Sequence, residues 1–348
     1  MKKRIVYLDY LRFIASLAVI GIHVSGKGTY VLGNSLDANP PIFALAATID
    51  ACLRFAVPIF FMISGALVFL KSEMDIAQFY CQRAKRIIIP LIFWALFYSF
   101  TFNKGYSLQE HIKQVLLGNS FYHLWFLYAV IGLYLISPVF YQFIKHSSQK
   151  DIEILLGISF LLNTFLPIIG EKFWVDLGAS LNLGYLTGAI FYFILGYYLI
   201  SFDLKWVNRL PVLLVGYFIS TFLIVFGTLK GSFAQGSYVT FYVNIFWVLT
   251  IIQSISVFCL VKLMCSHSFK EEGYFFKIVN NLAPYFMGIY LIHALVLEVY
   301  QKMIQIDYYS IGILPYLLHL VVGVLISYFG AILITFCIQR VPVLKNIV

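Results

Sequence analysis

The chain has 348 residues, of which 61% are hydrophobic and only 11% are charged, and its formal net charge is +9 at pH 7. Soluble domains carry about 25% charged residues, so this composition excludes an ordinary soluble protein and indicates a polytopic membrane protein. The basic residues lie in short segments between apolar runs rather than along one basic face, which argues against a nucleic-acid-binding protein.

Ten apolar runs are candidates to cross a bilayer. These predicted spans are residues 6–25, 43–70, 87–102, 121–141, 152–169, 186–200, 210–228, 240–263, 279–301 and 311–338. With the N-terminus inside, 16 Lys and Arg residues fall on the inner side and 6 on the outer side, while Arg12 and Arg54 lie within spans. This asymmetry predicts cytoplasmic termini and an even number of spans. We expect an all-α polytopic protein that forms a single membrane domain over residues 1–348, with no fused soluble domain.

The first span, IVYLDYLRFIASLAVIGIHV, contains three ionisable side chains: Asp9, Arg12 and His23. Charges at membrane depth are costly and commonly mark functional sites. At ~100° per residue, Arg12 and His23 project from one helix face, about 16 Å apart along the axis. An imidazole can take a proton from an attacking hydroxyl, which makes His23 a candidate general base.

The second span begins with an Asp50–Arg54 pair at i, i+4 spacing and continues through Pro58 and Ser64–Gly65. Proline and the Ser–Gly pair both weaken a helix, and broken helices at membrane depth are tolerated where they line a cavity. We expect Arg54 to lie at a depth similar to that of His23. The alternative is an ordinary kink, with Arg54 extending to the outer interface.

A basic cluster precedes the third span, in the segment FYCQRAKRIIIP: Arg83, Lys85 and Arg86. Three cations within a few residues could bind an anionic ligand, such as a nucleotide phosphate, at the cytoplasmic mouth of the bundle. The alternative is the positive charge that anchors cytoplasmic loops in general.

Two later spans carry further histidines. The fourth begins FYHLWFLY, which places His123 and Trp125 in an outer aromatic belt. His123 either forms a hydrogen bond there or faces the same cavity as His23. The ninth carries His293 near its middle and Glu298 nearer its outer end, on different helix faces. His293 is either a core histidine or part of the site.

The sequence lacks the motifs of several other chemistries. The five cysteines are scattered, with no CxxC and no metal-like Cys/His spacing, so we expect no bound metal. No Ser/His/Asp constellation stands out from spacing.

The stretches described above resemble the signatures of the membrane-bound acyltransferase-3 family. LDYLRFIASLAVIGIH is similar to the family's N-terminal signature. Later signatures follow in the family's order along most of the chain: RFAVPIFFMISG, FYCQRAKRIIIPLIFW, YHLWFLYAVIGLYLISP and MGIYLIH. The sequences of these stretches are most similar to the branch that contains the enterobacterial common antigen O-acetyltransferase.

The resemblance implies an enzyme that acylates a hydroxyl of a cell-surface or lipid-linked glycan, with acyl-CoA as the cytoplasmic donor and acetyl-CoA as the usual co-substrate. His23 matches the family's essential histidine and Arg12 its partner arginine, so both are expected to be catalytic. Arg83 and Arg86 match a basic pair that the family is thought to use near the donor. Lys85, between them, is assigned to the same donor-binding group.

The remaining candidates are assigned to acceptor binding: Arg54, His123, Trp125 and His293. The expected location is a bacterial inner or plasma membrane, since ten spans without a cleaved signal suit it. A transporter or exporter of a polysaccharide or small anion is the competing prediction, because intramembrane charges and broken helices also serve transport. An inverted repeat would favour transport, and none is visible in the sequence.

Overall fold

The computed structural model describes residues 5–167, 188–205, 207, 209–267 and 273–348. The secondary structure of these residues is helical, with no strand among them. Their α-helices are α1 (Val6–Leu32), α2 (Pro40–Leu53), α3 (Ala56–Phe69), α4 (Ile76–Arg83), α5 (Ile89–Phe102), α6 (Leu108–Leu117), α7 (Trp125–His146), α8 (Gln149–Phe160), α9 (Ile190–Ser201), α10 (Leu210–Gln235), α11 (Val248–His267), α12 (Tyr274–Leu282), α13 (Phe286–Ile304) and α14 (Ile313–Gln339). The all-α prediction is confirmed.

Within the described ranges, 8 helical segments are long and apolar enough to cross a membrane. They are Val6–Leu32, Pro40–Phe69, Ile76–Phe102, Trp125–His146, Leu210–Gln235, Phe241–Cys265, Phe276–Ile304 and Ile313–Gln339. Each corresponds to one predicted span, so the chain is a polytopic membrane protein.

The other two predicted spans, 152–169 and 186–200, coincide with shorter elements. The first is α8, continued by a π-helical turn at Leu161–Phe165, and the second is α9, which has 12 residues. Both predicted spans extend into residues 168–187, which lie outside the described part of the chain. The total of ten spans and the cytoplasmic placement of both termini therefore stay predictions.

The second span is broken between α2 and α3. Arg54 lies in the turn between them, and α3 begins at Ala56. Pro58 accounts for this position, because it offers no N–H to the Arg54 carbonyl four residues earlier and its ring crowds that carbonyl. The expected second weak point at Ser64–Gly65 is wrong, because α3 runs through this pair without interruption.

Glycines allow α3 to pack directly against the backbone of α9. A Cβ atom on Gly65 would lie 1.7 Å from the carbonyl oxygen of Phe193, and one on Gly196 would lie 2.0 Å from the carbonyl oxygen of Met62. Helix backbones approach this closely only where the side chain is a hydrogen atom. Gly65 is therefore a helix-packing residue rather than a hinge.

The first helix, α1, occupies a central position and contacts α2, α3, α11, α13 and α14. Residues on several of its faces are buried, including Leu11, Ala15 and Val24. A helix that is buried on several faces is typical of a bundle interior. The ionisable side chains of α1 consequently lie among other helices.

A short amphipathic helix, α6, lies between predicted spans and is not among the predicted elements. Ser107 and Glu110 form a capping box at its start, and Gly118, with φ +75°, ends it. The backbone N–H and the hydroxyl of Ser107 both donate to the Glu110 carboxylate and lower its pKa. The chain continues from α6 directly into residues 119–124, which include His123.

Candidate active site

Three histidines from distant parts of the chain meet inside the bundle. His23 lies in α1, His123 in the segment before α7, and His293 in α13. The His23 and His293 rings stack, with centroids 5.4 Å apart and planes 24° apart. The His123 ring stands edge-on to His293 with centroids 5.1 Å apart. The fold therefore gathers all three predicted histidines at one point.

Backbone groups orient this cluster. His293 Nδ1 lies 3.0 Å from the Ile289 carbonyl oxygen and 2.7 Å from that of Tyr290, so we assign the proton to Nδ1 and an acceptor lone pair to Nε2. His293 Nε2 has no hydrogen-bond partner among the described residues. The hydroxyl of Tyr290 donates to the His123 carbonyl, which joins the segment before α7 to α13.

The ring of His123 is 2% exposed, and its two nitrogens form no hydrogen bond of normal geometry within the described ranges. The Leu291 carbonyl lies near the ring, outside that geometry, and accepts a hydrogen bond from Tyr98 at 2.7 Å. Buried polar atoms that lack a partner commonly mark places where a ligand or water binds.

An ion pair lies beside His23. Arg54 Nε donates to Asp50 Oδ2 at 2.9 Å, and a terminal guanidinium nitrogen contacts the same oxygen. The Tyr238 hydroxyl also donates to Asp50 Oδ2, at 3.2 Å. Tyr238 is itself attached to the end of α1, because its N–H donates to the Gly33 carbonyl at 2.8 Å. A buried ion pair is favourable only with such additional partners, and here they hold Arg54 in place.

Two cavities meet at His23. The larger, called the large cavity, has a volume of about 380 Å³ and is lined by residues that include His23, Lys27, Asp50, Arg54, Tyr122 and Glu298. The smaller, called the small chamber, has a volume of about 110 Å³ and is lined by residues that include His23, Arg54, Phe60, His123, Trp125 and Phe126. His23 and Arg54 border both spaces, so the imidazole stands between them.

Arg12 lies on the same helix as His23 but away from these cavities. Its Nη1 atom lies 2.5 Å from Oδ1 of Asp9, and the side chains of Arg12 and Asp9 are 26% and 7% exposed. The linings of the large cavity and the small chamber do not include Arg12. Any effect of Arg12 on His23 is therefore indirect in this arrangement.

The basic cluster lies at the junction of α4 and α5, where Ala84–Ile88 forms a π-helical turn. Arg83 is half-buried, and its guanidinium carbon lies 4.4 Å from the ring centroid of Tyr134 and 5.3 Å from that of Phe79. Lys85 and Arg86 are exposed. None of the three cations lines either space at His23. Among the described residues, Arg83 is thus held by cation–π contacts and has no acidic partner.

A family model described as an acyltransferase domain matches residues 5–336, a range that contains every residue of the site above. The chain belongs to the acyltransferase-3 family. This membership identifies it as an acyltransferase and confirms the family resemblance found in its sequence.

Relatives of this acyltransferase-3 chain carry more than one name. A probable poly-beta-1,6-N-acetyl-D-glucosamine export protein of Staphylococcus aureus strain MSSA476 is 25% identical over 318 residues, which cover 86% of this chain and 84% of that protein. An amino-acid racemase of Enterococcus faecalis is 26% identical over 150 residues, or 39% of this chain and 19% of that protein. No solved structure matches the chain significantly.

The candidate site brings together five of the predicted site residues: His23, Arg54, His123, Trp125 and His293. The other four lie elsewhere: Arg12, Arg83, Lys85 and Arg86. Their roles, like those of the first five, stay predictions.

Several residues of the candidate site were not assigned from the sequence. The Tyr122 ring lies 4.9 Å from the ring of His23, and its position next to His123 in the chain was a usable signal. Glu298 lines the large cavity, although only its depth in the ninth span was noted. Tyr238 could not be found from the sequence, because 188 positions separate it from its partner Asp50.

This arrangement contains functional groups that acyl transfer requires. An imidazole that borders a polar cavity can accept a proton from a hydroxyl there. A fixed guanidinium beside it can stabilise negative charge on a carbonyl oxygen. Within the described residues, no group of three or more His, Cys, Asp or Glu side chains is arranged to hold a metal.

Proposed function

We propose that this acyltransferase is an O-acyltransferase that moves an acetyl group from cytoplasmic acetyl-CoA to a hydroxyl of a cell-surface or lipid-linked glycan. The observation that carries the proposal is the position of His23 and Arg54 between two spaces of unequal size. A site that joins a small acyl group to a large acceptor needs both groups to reach one base. We also propose a bacterial inner or plasma membrane as its location, and relatedness to the branch of the enterobacterial common antigen O-acetyltransferase.

The proposed reaction begins in the large cavity, where His23 takes the proton of the acceptor hydroxyl. The oxygen attacks the thioester carbonyl and forms the new C–O bond, while Arg54 stabilises the negative charge on the carbonyl oxygen. The tetrahedral intermediate then breaks its C–S bond, and the His23 imidazolium returns the proton to the CoA thiolate. In a second route, His23 attacks the thioester carbonyl, the C–S bond breaks and the CoA thiolate leaves. The acceptor hydroxyl then attacks the acetyl-histidine, the imidazole is released, and the hydroxyl proton goes to the thiolate.

The donor is proposed to bind at the basic cluster. CoA carries phosphates, and Arg83, Lys85 and Arg86 supply three cations beside a buried aromatic pair, Phe79 and Tyr134. Guanidinium groups bind phosphate through paired hydrogen bonds, and aromatic stacking fixes their orientation. In the predicted topology, this cluster faces the cytoplasm, where acyl-CoA is found.

The first test measures CoA release from acetyl-CoA by detergent-purified protein, with and without a mixed cell-envelope glycan extract. We expect the extract to stimulate release and His23→Ala to reduce it below a few per cent of the wild type. The double variant Arg83→Ala/Arg86→Ala is expected to need more acetyl-CoA for half-maximal rate. Mass analysis of the His23 peptide after incubation with acetyl-CoA alone distinguishes the two routes, since only the second leaves an acetylated histidine.

A second candidate function is export of a polysaccharide. It is favoured by the Staphylococcus aureus relatives, which are named as probable exporters and align over most of the chain. The same assay separates the candidates. If folded wild-type protein releases no CoA under any of these conditions, acyl transfer from acetyl-CoA is rejected and export becomes the better conclusion.

A further inference from the structure

The small chamber has a size that suits a very short acyl group. Its volume is about 110 Å³. An engineered apolar cavity of roughly 150 Å³ holds benzene, which has six carbon atoms. On that scale the chamber holds roughly four to five heavy atoms, so an acetyl group, with three, fits and a butyryl group, with five, is at the limit. A hexanoyl group has seven heavy atoms and exceeds what this chamber holds.

Side chains of different character line the small chamber. His23, Arg54 and His123 supply its polar groups, whereas Val57, Phe60 and Phe126 contribute apolar surface. A thioester needs this combination, because its carbonyl oxygen requires polar contacts and its alkyl group requires apolar ones. The two buried His123 nitrogens, which lack hydrogen bonds of normal geometry, provide a second sign that a polar group of a ligand belongs here.

Packed aromatic rings keep the apolar wall in place. The ring centroid of Phe126 lies 5.9 Å from that of Phe60, 4.8 Å from that of Phe61 and 5.6 Å from that of Tyr290. Phe61 is fully buried behind the chamber. Packed cores resist the volume increase of even one methylene, so this wall cannot yield to a longer chain at low cost.

We propose that the small chamber is the acyl pocket and that Phe60, Val57 and Phe126 limit the transferred group to about four carbons. This inference rests on the proposed acyl transfer and adds the residues that set chain length. One extra methylene in a well-fitted hydrophobic pocket changes specificity by about 10–200-fold. The wild type should therefore prefer acetyl-CoA over hexanoyl-CoA by at least about a hundredfold in kcat/KM.

The test compares acetyl-, butyryl- and hexanoyl-CoA as donors, with the acylated glycan identified by mass spectrometry. Phe60→Ala is expected to raise the hexanoyl-to-acetyl ratio of kcat/KM by at least about tenfold. Val57→Ala, a smaller change that is safer for folding, should raise the butyryl-to-acetyl ratio. Val57→Leu, which fills the chamber, should lower that ratio. The matched control is Leu297→Ala, which enlarges the large cavity and should leave both ratios unchanged.

The outcomes separate this inference from the proposed function. If the wild type transfers acetyl and hexanoyl groups equally well, or if Phe60→Ala and Val57→Ala transfer acetyl but keep the wild-type ratios, the small chamber is not the acyl pocket. If Leu297→Ala changes the ratios as much as Phe60→Ala does, the acyl group lies in the large cavity instead. Failure of the wild type with every donor rejects the acyl transfer itself.

Discussion

The imidazole rings of His23 and His293 stack with a centroid distance of 5.4 Å, although the two residues come from opposite ends of the chain. The stack holds the proposed base against α13, whose backbone carbonyls fix the His293 ring. We therefore predict that His293 acts as a positioning residue for His23.

His293→Phe should keep kcat within about threefold of the wild type, because a phenyl ring preserves the stack. His293→Ala should lower kcat about tenfold, since ring pairs contribute roughly 0.5–1.5 kcal/mol. KM for acetyl-CoA should be unchanged in both variants. Steady-state kinetics of the purified variants checks this pair, and equal losses in both would mean that a His293 nitrogen, rather than its ring, is required.

The Asp50–Arg54 pair has a structural effect that can be separated from its proposed chemical role. Asp50→Ala should lower stability by up to about 3–5 kcal/mol, because it leaves the half-buried Arg54 cation without its partner. The double variant Asp50→Ala/Arg54→Met should recover much of that loss, whereas acetyl transfer should stay low in both. Thermal unfolding in detergent, beside the CoA-release assay, measures the two effects. A double variant no more stable than Asp50→Ala would contradict this account.

Gly65 tests the contact between α3 and α9. Gly65→Ala places a methyl group on the Phe193 carbonyl and should cost about 3 kcal/mol or more, the upper range for overpacking. The matched control is Gly132→Ala in α7, which meets no atom within 4 Å and should gain about 0.5–1 kcal/mol from helix propensity. The melting temperatures of both variants measure these two changes in stability. Similar values for the two would mean that the helices are not in direct contact.

Arg83→Ala should raise KM for acetyl-CoA about 10–100-fold at nearly constant kcat, as expected for loss of a charge-assisted hydrogen bond to phosphate. Arg83→Lys should recover little, because an ammonium group neither stacks flat on Tyr134 nor forms paired hydrogen bonds. Lys150→Ala, at an exposed site on α8, is the control for general charge loss. A fall in kcat without a change in KM would place Arg83 outside donor binding.

The capping box of α6 predicts a local pH dependence. Hydrogen bonds from Ser107 lower the pKa of Glu110 in the folded protein. Its contribution is therefore complete above the unfolded-state pKa of about 4.3 and is lost as the pH falls through the lower folded-state pKa. The protection factors of the α6 amides, which correct for the intrinsic pH dependence of exchange, should fall in that acidic range. Glu110→Gln keeps the cap but does not titrate, so its exchange protection should not change in this way.

Features that depend on nearby residues could be predicted from the sequence. The apolar runs predicted the eight spans found in the described residues, and the i, i+4 spacing predicted the Asp50–Arg54 pair. The break at Arg54 also follows from a local rule, since Pro58 disturbs the carbonyl four residues before it, although Ser64–Gly65 was expected to act as well. The capping box formed by Ser107 and Glu110 is also a local sequence signal, and it would have predicted the start of α6.

Contacts between distant segments could not be predicted in this way. Nothing in the neighbourhood of Tyr238 indicates that its hydroxyl reaches Asp50, and spacing cannot show that His293 stacks on His23. Such contacts follow from how the helices pack, which depends on side-chain shape across the whole bundle. For the same reason, the sequence supplied the candidate residues but could not show the large cavity and the small chamber that these residues line.

The break before α3 has an electrostatic consequence. A helix carries a partial positive charge of about half an elementary unit at its N-terminus, produced by aligned peptide dipoles. α3 begins at Ala56, and Val57 in its first turn lines the small chamber. An unbroken second span would have no such terminus at this depth. The C-terminus of α2 at Leu53 carries the opposite partial charge, but no residue of α2 lines the small chamber. The backbone field nearest the chamber is therefore that of α3, which has the same sign as Arg54 and favours negative charge that develops inside.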